Sequence, residues 1–146
     1  MSATDVPVFE KTLRKTEEWL REIMREIGSE DHHLAYLVLR GTLHVLRDRL
    51  PLEETAHLGA QLPMLVRGFY YEGWHPARDV SRMHRDEFLE RVQQQLAGAA
   101  PTVNMEAAVR AVFHVLSQKI AKGEIEQIEQ ALPPDLRELW PARSSS

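Results

Sequence analysis

Cysteine is absent from all 146 residues. That absence removes disulfides, thiolate nucleophiles and every cysteine-ligated zinc or iron–sulfur site, and a reducing compartment suits such a chain. Long apolar runs are missing too: nothing approaches the roughly 18 consecutive apolar residues of a membrane-spanning helix. The opening MSATDVPVF has neither the basic n-region nor the apolar h-region of a secretory signal, so the expected location is the cytoplasm. Positive charge is not in excess either. The 18 Lys and Arg stand against 22 Asp and Glu, a net charge of −4, which leaves no global basic field to gather phosphate polymers or anionic lipid. No run alternates in the period-2, β-branched manner of a strand. No Gly-rich phosphate loop, nucleophile elbow or zinc-ligand spacing occurs.

What is present is ordinary globular material, 43% hydrophobic and 27% charged, in a length suited to one domain. Phe9, Leu13, Thr16, Leu20, Ile23 and Ile27 recur at spacings of three and four, so the first segment reads as an amphipathic helix with this stripe turned inward. Residues 31 to 50 differ in kind. Tyr36, Leu39, Leu43, Leu46 and Leu50 form one stripe, while Leu37, Val38, Gly41 and Val45 make the opposite side apolar or small. A helix apolar on two sides is expected to be covered on two sides. Pro51 and Pro63 bound a shorter helix. Further helices are expected around Phe88, Leu89, Val92 and Leu96, and from about Asn104, a good N-cap, to Lys122.

The strongest signal is an internal repeat. Shifted by 70 positions, Arg40, His44, Val45, Leu46, Glu54, Leu62, Pro63 and Arg67 recur as Arg110, His114, Val115, Leu116, Glu124, Leu132, Pro133 and Arg137. The expected fold is therefore all-α, two tandem three-helix units packed as one helical body. The expected organisation is a first unit at 9–72, a connector at 73–80, a second unit at 81–140 and a flexible tail at 141–146, within a single domain 1–146. The stretch RDRLPLEETAHLGAQLPMLVRGFYYEGW followed by HRDEFLERV resembles a bacterial family of short, all-helical, internally duplicated proteins, a domain-of-unknown-function family. The resemblance spans about residues 9–140, with LPMLVRGFYYEGW its most specific part. It implies fold, bacterial origin and cytoplasmic location, and brings no activity, cofactor or catalytic residue.

Four constellations bear on function. His44 and His114 occupy equivalent positions off the main stripes and are expected to bridge helix junctions through hydrogen bonds; as a pair they would otherwise make a metal or proton site. His32 and His33 adjoin Glu30 and Asp31 without ligand spacing, and His75, Asp79, His84, Asp86 and Glu87 read as solvated loop and helix-start residues. The segment EETAHLGAQLPMLVR imitates a helix-turn-helix through Thr55, Gly59 and Leu65, with Arg40, Arg47, Arg49 and Arg67 as a local basic face. Pro63 inside the would-be recognition helix and the acidic balance oppose that reading.

The aromatic group Phe69, Tyr70, Tyr71 and Trp74 ends the first unit beside Arg67, and these residue types dominate protein contact energies. Arg67, Tyr70, Tyr71 and Trp74 are accordingly the candidate interaction surface; their alternative role is to cover the junction of the two units. Dimerisation through the first helix is a further possibility if Trp19 and Met24 stay exposed. No catalytic residue, cofactor or metal ligand is assigned. The expected function is a non-enzymatic protein-interaction or self-assembly module, with a protein partner or a second copy as its contact and no nucleic acid or membrane. DNA binding, or a ligand site or enzyme not visible in sequence, stand as alternatives.

Overall fold

The structure is a computed structural model that describes residues 5–76, 83–96 and 103–142. These form eight helices and no strand: α1 (Pro7–Ile27), α2 (His32–Arg49), α3 (Leu52–Gln61), α4 (Met64–Tyr71), α5 (Arg85–Leu96), α6 (Met105–Lys119), α7 (Lys122–Gln130) and α8 (Pro134–Arg137). Residues 77–80 of the expected connector and residues 143–146 of the expected tail lie outside the described residues, as do 81–82 and 97–102.

Local chemistry sets the boundaries. Pro7 opens α1, where its missing N–H costs nothing, and Gly28 closes it at φ 69°, a conformation that side chains resist. Asp31 caps α2 by accepting the Leu34 N–H at 3.1 Å, and Asn104 caps α6 by accepting the Ala107 N–H at 3.0 Å. Leu50 and Leu62 both precede a proline and both are extended, with ψ 147°, because the proline ring disfavours the helical conformation of its predecessor. Those two steps fold α3 back from α2 and α4 back from α3. Ile120 takes the same form, ψ 149°, with Ala121 following it.

The two-sided apolar pattern of α2 has its counterpart in packing. Val38, Leu39, Leu43, Val45, Leu46 and Leu50 are all buried, and α2 touches α1, α4, α5 and α6. A Cβ at Gly41 would sit 3.1 Å from Gln95 Cβ and 3.3 Å from Leu96 Cδ1, so the missing side chain lets α5 approach. Helix α1 lies against α6, α5 lies against α2, and α3 meets α7. Phe113 stacks on Trp140 at 4.0 Å and 7°, with Phe88 at the edge of Phe113. Each such side chain contributes about 1.5–3 kcal/mol when buried.

Helix α1 departs from expectation. It buries Thr16, Trp19 and Ile23, while Phe9 and Leu13, expected inside, are exposed. The N-terminal end of the stripe lies beside α4 and stays open to solvent there. Trp19 is only 4% exposed and Met24 is half-buried, so the exposed edge considered for dimerisation through them is not formed. No described helix is long and apolar enough to cross a membrane.

Candidate functional site

The aromatic segment is fastened from α2. Arg40, His44 and Arg47 recur along one face of that helix, and all three reach the C-terminal end of α4. The His44 Nε2–H donates to Phe69 O at 2.6 Å, Arg47 Nη1 donates to Tyr70 O and Glu72 O, both at 2.8 Å, and Arg40 pairs with the Glu72 carboxylate at 2.7 Å. Carbonyls at a helix C-terminus have no intrahelical donors and carry the negative end of the dipole; two α2 side chains supply the missing donors. Burial pushes the His44 imidazole below its ordinary value, and Arg40 holds the Glu72 carboxyl below its own.

The candidate surface residues are thereby separated. Tyr70 is fully enclosed, its hydroxyl donating to Thr55 O at 2.8 Å, and so offers nothing to a partner. Tyr71 lies between Tyr70 and Trp74 and rests on Gly59, where a Cβ would fall 2.2 Å from its hydroxyl oxygen. Tyr71 and Trp74 are half-buried. Arg67 is exposed, with Nη2 donating to Leu62 O at 3.1 Å. The group closes α2, α3 and α4 upon one another.

The remaining candidates disperse. Arg47 and Arg49 are 5% and 3% exposed, so the four-arginine basic face proposed for a helix-turn-helix is not assembled. His114, half-buried where His44 is buried, meets Glu26 of α1 and Gln118 of its own helix. His32 and His33 are exposed, with the His33 ring near Tyr36. His84 meets Asp135 at 3.2 Å, His75 lies beside Trp74 and Pro76, and Asp86 and Glu87 line a separate surface with Arg91. Asp79 lies outside the described residues.

Two features were not foreseen. The first is apolar. Val8, Phe9 and Leu13 of α1 and Met64 and Leu65 of α4 are 36–50% exposed. Phe9, Leu13, Met64, Leu65 and Phe69 line one groove of about 540 Å³. The Leu65 N–H donates to Thr12 Oγ1 at 2.9 Å and fixes the two helices together. On the other side of Thr12 and Met64 a second groove, about 430 Å³, carries Lys11, Lys15, Arg67 and Lys119, with Glu18 as its one carboxylate.

The second is a carboxylate pair. Glu54 and Glu124, 70 positions apart, stand in the first turns of α3 and α7 and meet where those helices touch. His57 Nδ1 is 4.0 Å from Glu54 Oε1 and 3.8 Å from Glu124 Oε1. Burial, and then the neighbouring Glu54, push the Glu124 carboxyl up to about 7. Among the described residues these three are the group whose ligand atoms are close enough to hold a metal ion, all lying within 4.8 Å of one another.

No curated protein matches this sequence. The model of a family described as an uncharacterised conserved protein, DUF2267, matches residues 16–139, from the buried middle of α1 to the end of the last helix, and the chain belongs to that family.

Proposed function

We propose that the chain is a non-enzymatic protein-interaction module, built from two repeated helical units at 9–72 and 81–140, whose contact face is the groove between α1 and α4. The observation that carries this reading is the cluster of four exposed apolar side chains, Phe9, Leu13, Met64 and Leu65, along one groove. Contiguous apolar surface on a folded protein marks a site where something else is buried. The occupant is an amphipathic helix of a partner protein with an acidic flank. Its apolar side fits the Phe9–Leu65 floor, and its carboxylates fit Lys11, Lys15 and Arg67 alongside. A second copy fits less well, because a two-fold contact centred here would set the same basic row against itself. The repeat is supported by matching contacts 70 positions apart: Arg67 donates to Leu62 O and Arg137 to Leu132 O.

The test uses a synthetic helical peptide with leucines at i, i+4 and i+7 and glutamates elsewhere, and its lysine-for-glutamate analogue. The acidic peptide should bind, more weakly as salt rises, and Phe9→Ala with Leu65→Ala should weaken it roughly tenfold or more. Equal binding of both peptides removes the charge argument. A concentration-dependent dimer abolished by Phe9→Asp would assign the groove to a second copy instead.

A further inference from the structure

We infer that Glu54, His57 and Glu124 form a binding site for a divalent transition-metal ion of the zinc type, clamping α3 to α7. This goes beyond the interaction reading and does not rest on it. The starting point is an electrostatic difficulty. Two carboxylates from opposite halves are brought together at a helix seam, and Glu124 is only 8% exposed. Bringing like charges out of water is costly unless something compensates them.

The described neighbourhood offers little compensation. Glu54 Oε2 and Glu124 Oε2 are buried with no hydrogen-bond partner. The His57 imidazole stands near both carboxylates, and its separations of 3.8 and 4.0 Å are too long for a hydrogen bond. Those same separations suit an ion placed between the groups. Two ligand atoms each about 2.1 Å from a metal stand roughly 3–4 Å apart, so small side-chain rotations bring all three atoms into the shell.

Ligand chemistry narrows the ion. An imidazole nitrogen with two carboxylate oxygens favours zinc, cobalt or manganese over calcium and magnesium, which take oxygen. The His57 side chain is 54% exposed, so the site opens to solvent on that side, leaving an entry path and room for water as a fourth ligand. Each half contributes one glutamate, and the bound ion would join them.

The chelator-treated full chain is titrated with zinc chloride by calorimetry and then melted with and without the ion. One equivalent should bind and raise Tm, because an ion that binds only the folded form stabilises it. Glu124→Gln and the exposed-site variant His57→Ala should each weaken binding roughly tenfold or more. Cobalt should give a visible d–d band in the wild type that His57→Ala alters. If His57→Ala binds zinc as the wild type does, the ion sits elsewhere and the assignment is wrong. If zinc has no effect while Glu124→Gln alone raises Tm at pH 8, the pair holds a shared proton rather than a metal.

Discussion

Residues 39–70 and 109–140 carry the same pattern of side chains and use it differently. His44 is buried and holds a carbonyl of α4, whereas His114 is half-buried and meets the Glu26 carboxylate of α1. Arg47 fastens the end of α4 through two carbonyls, and its counterpart is Ser117, which is too short to do so. Tyr70 is tied by its hydroxyl to Thr55 O, while Trp140 in the matching place stacks flat on Phe113 and leaves its indole N–H buried without a partner among the described residues. Both segments set arginines on backbone oxygens, Arg47 on Tyr70 O and Glu72 O and Arg110 on Glu138 O; the first adds the buried His44 and Tyr70 bonds, and the second adds the flat aromatic stack. Equal letters in a repeat share a backbone position; the packing around that position decides what each does.

The largest effect expected from breaking the polar seal is at Arg47. Arg47→Met keeps the apolar stem but strands the Tyr70 and Glu72 carbonyls, and should cost about 3 kcal/mol in urea unfolding. Ser117→Ala should change stability by no more than about 0.5 kcal/mol. Similar costs at the two positions would mean that the halves are closed in the same way. Tyr70→Phe is the next step down. It removes one buried hydrogen bond to Thr55 O and should cost about 1 kcal/mol; an unchanged urea midpoint would show that the hydroxyl contributes nothing.

Much of this frame was legible beforehand, for identifiable reasons. The two-sided apolar pattern of α2 could only be satisfied in the interior, and the prolines after Leu50 and Leu62 force extended steps whatever surrounds them. The site was far less legible. The α1 stripe looked uniform because periodicity records which residues share a face and not where the covering surface stops; Phe9 and Leu13 lie beyond that edge. Tyr70 resembled a surface aromatic because its partners, Thr55 and the Arg47 side chain, come from other helices. Glu54 and Glu124 appeared as an identity in the repeat, yet only the packing of α3 on α7 makes them neighbours. The aligned positions were the available signal, since Glu54 and Glu124 hold matching places in the sequence pattern on the two helices that touch.

The smallest predicted effect concerns how the first helix and the last helix of each half are joined. In the first half the side chain belongs to α1: Thr12 Oγ1 accepts the Leu65 N–H of α4. In the second half the direction is reversed, and Asp135 of α8 accepts the N–H of Arg85 at the start of α5 at 2.9 Å, with His84 beside it. Only the second joint carries a charge that acid can remove. The Arg85 N–H, and then His84, hold the Asp135 carboxyl below its ordinary range. A carboxyl that binds its proton less tightly when folded stabilises the fold above the unfolded value. That contribution fades as pH falls through the ordinary carboxylate range and below it. Melting the wild type and Asp135→Asn from pH 7 to pH 3 should show a Tm advantage for the wild type at neutral pH that shrinks with acid. Thr12→Val should lower stability by about 1 kcal/mol to the same extent at every pH. Parallel acid profiles for wild type and Asp135→Asn would reduce the contrast between the two joints to one of direction alone, with no charge component in the second.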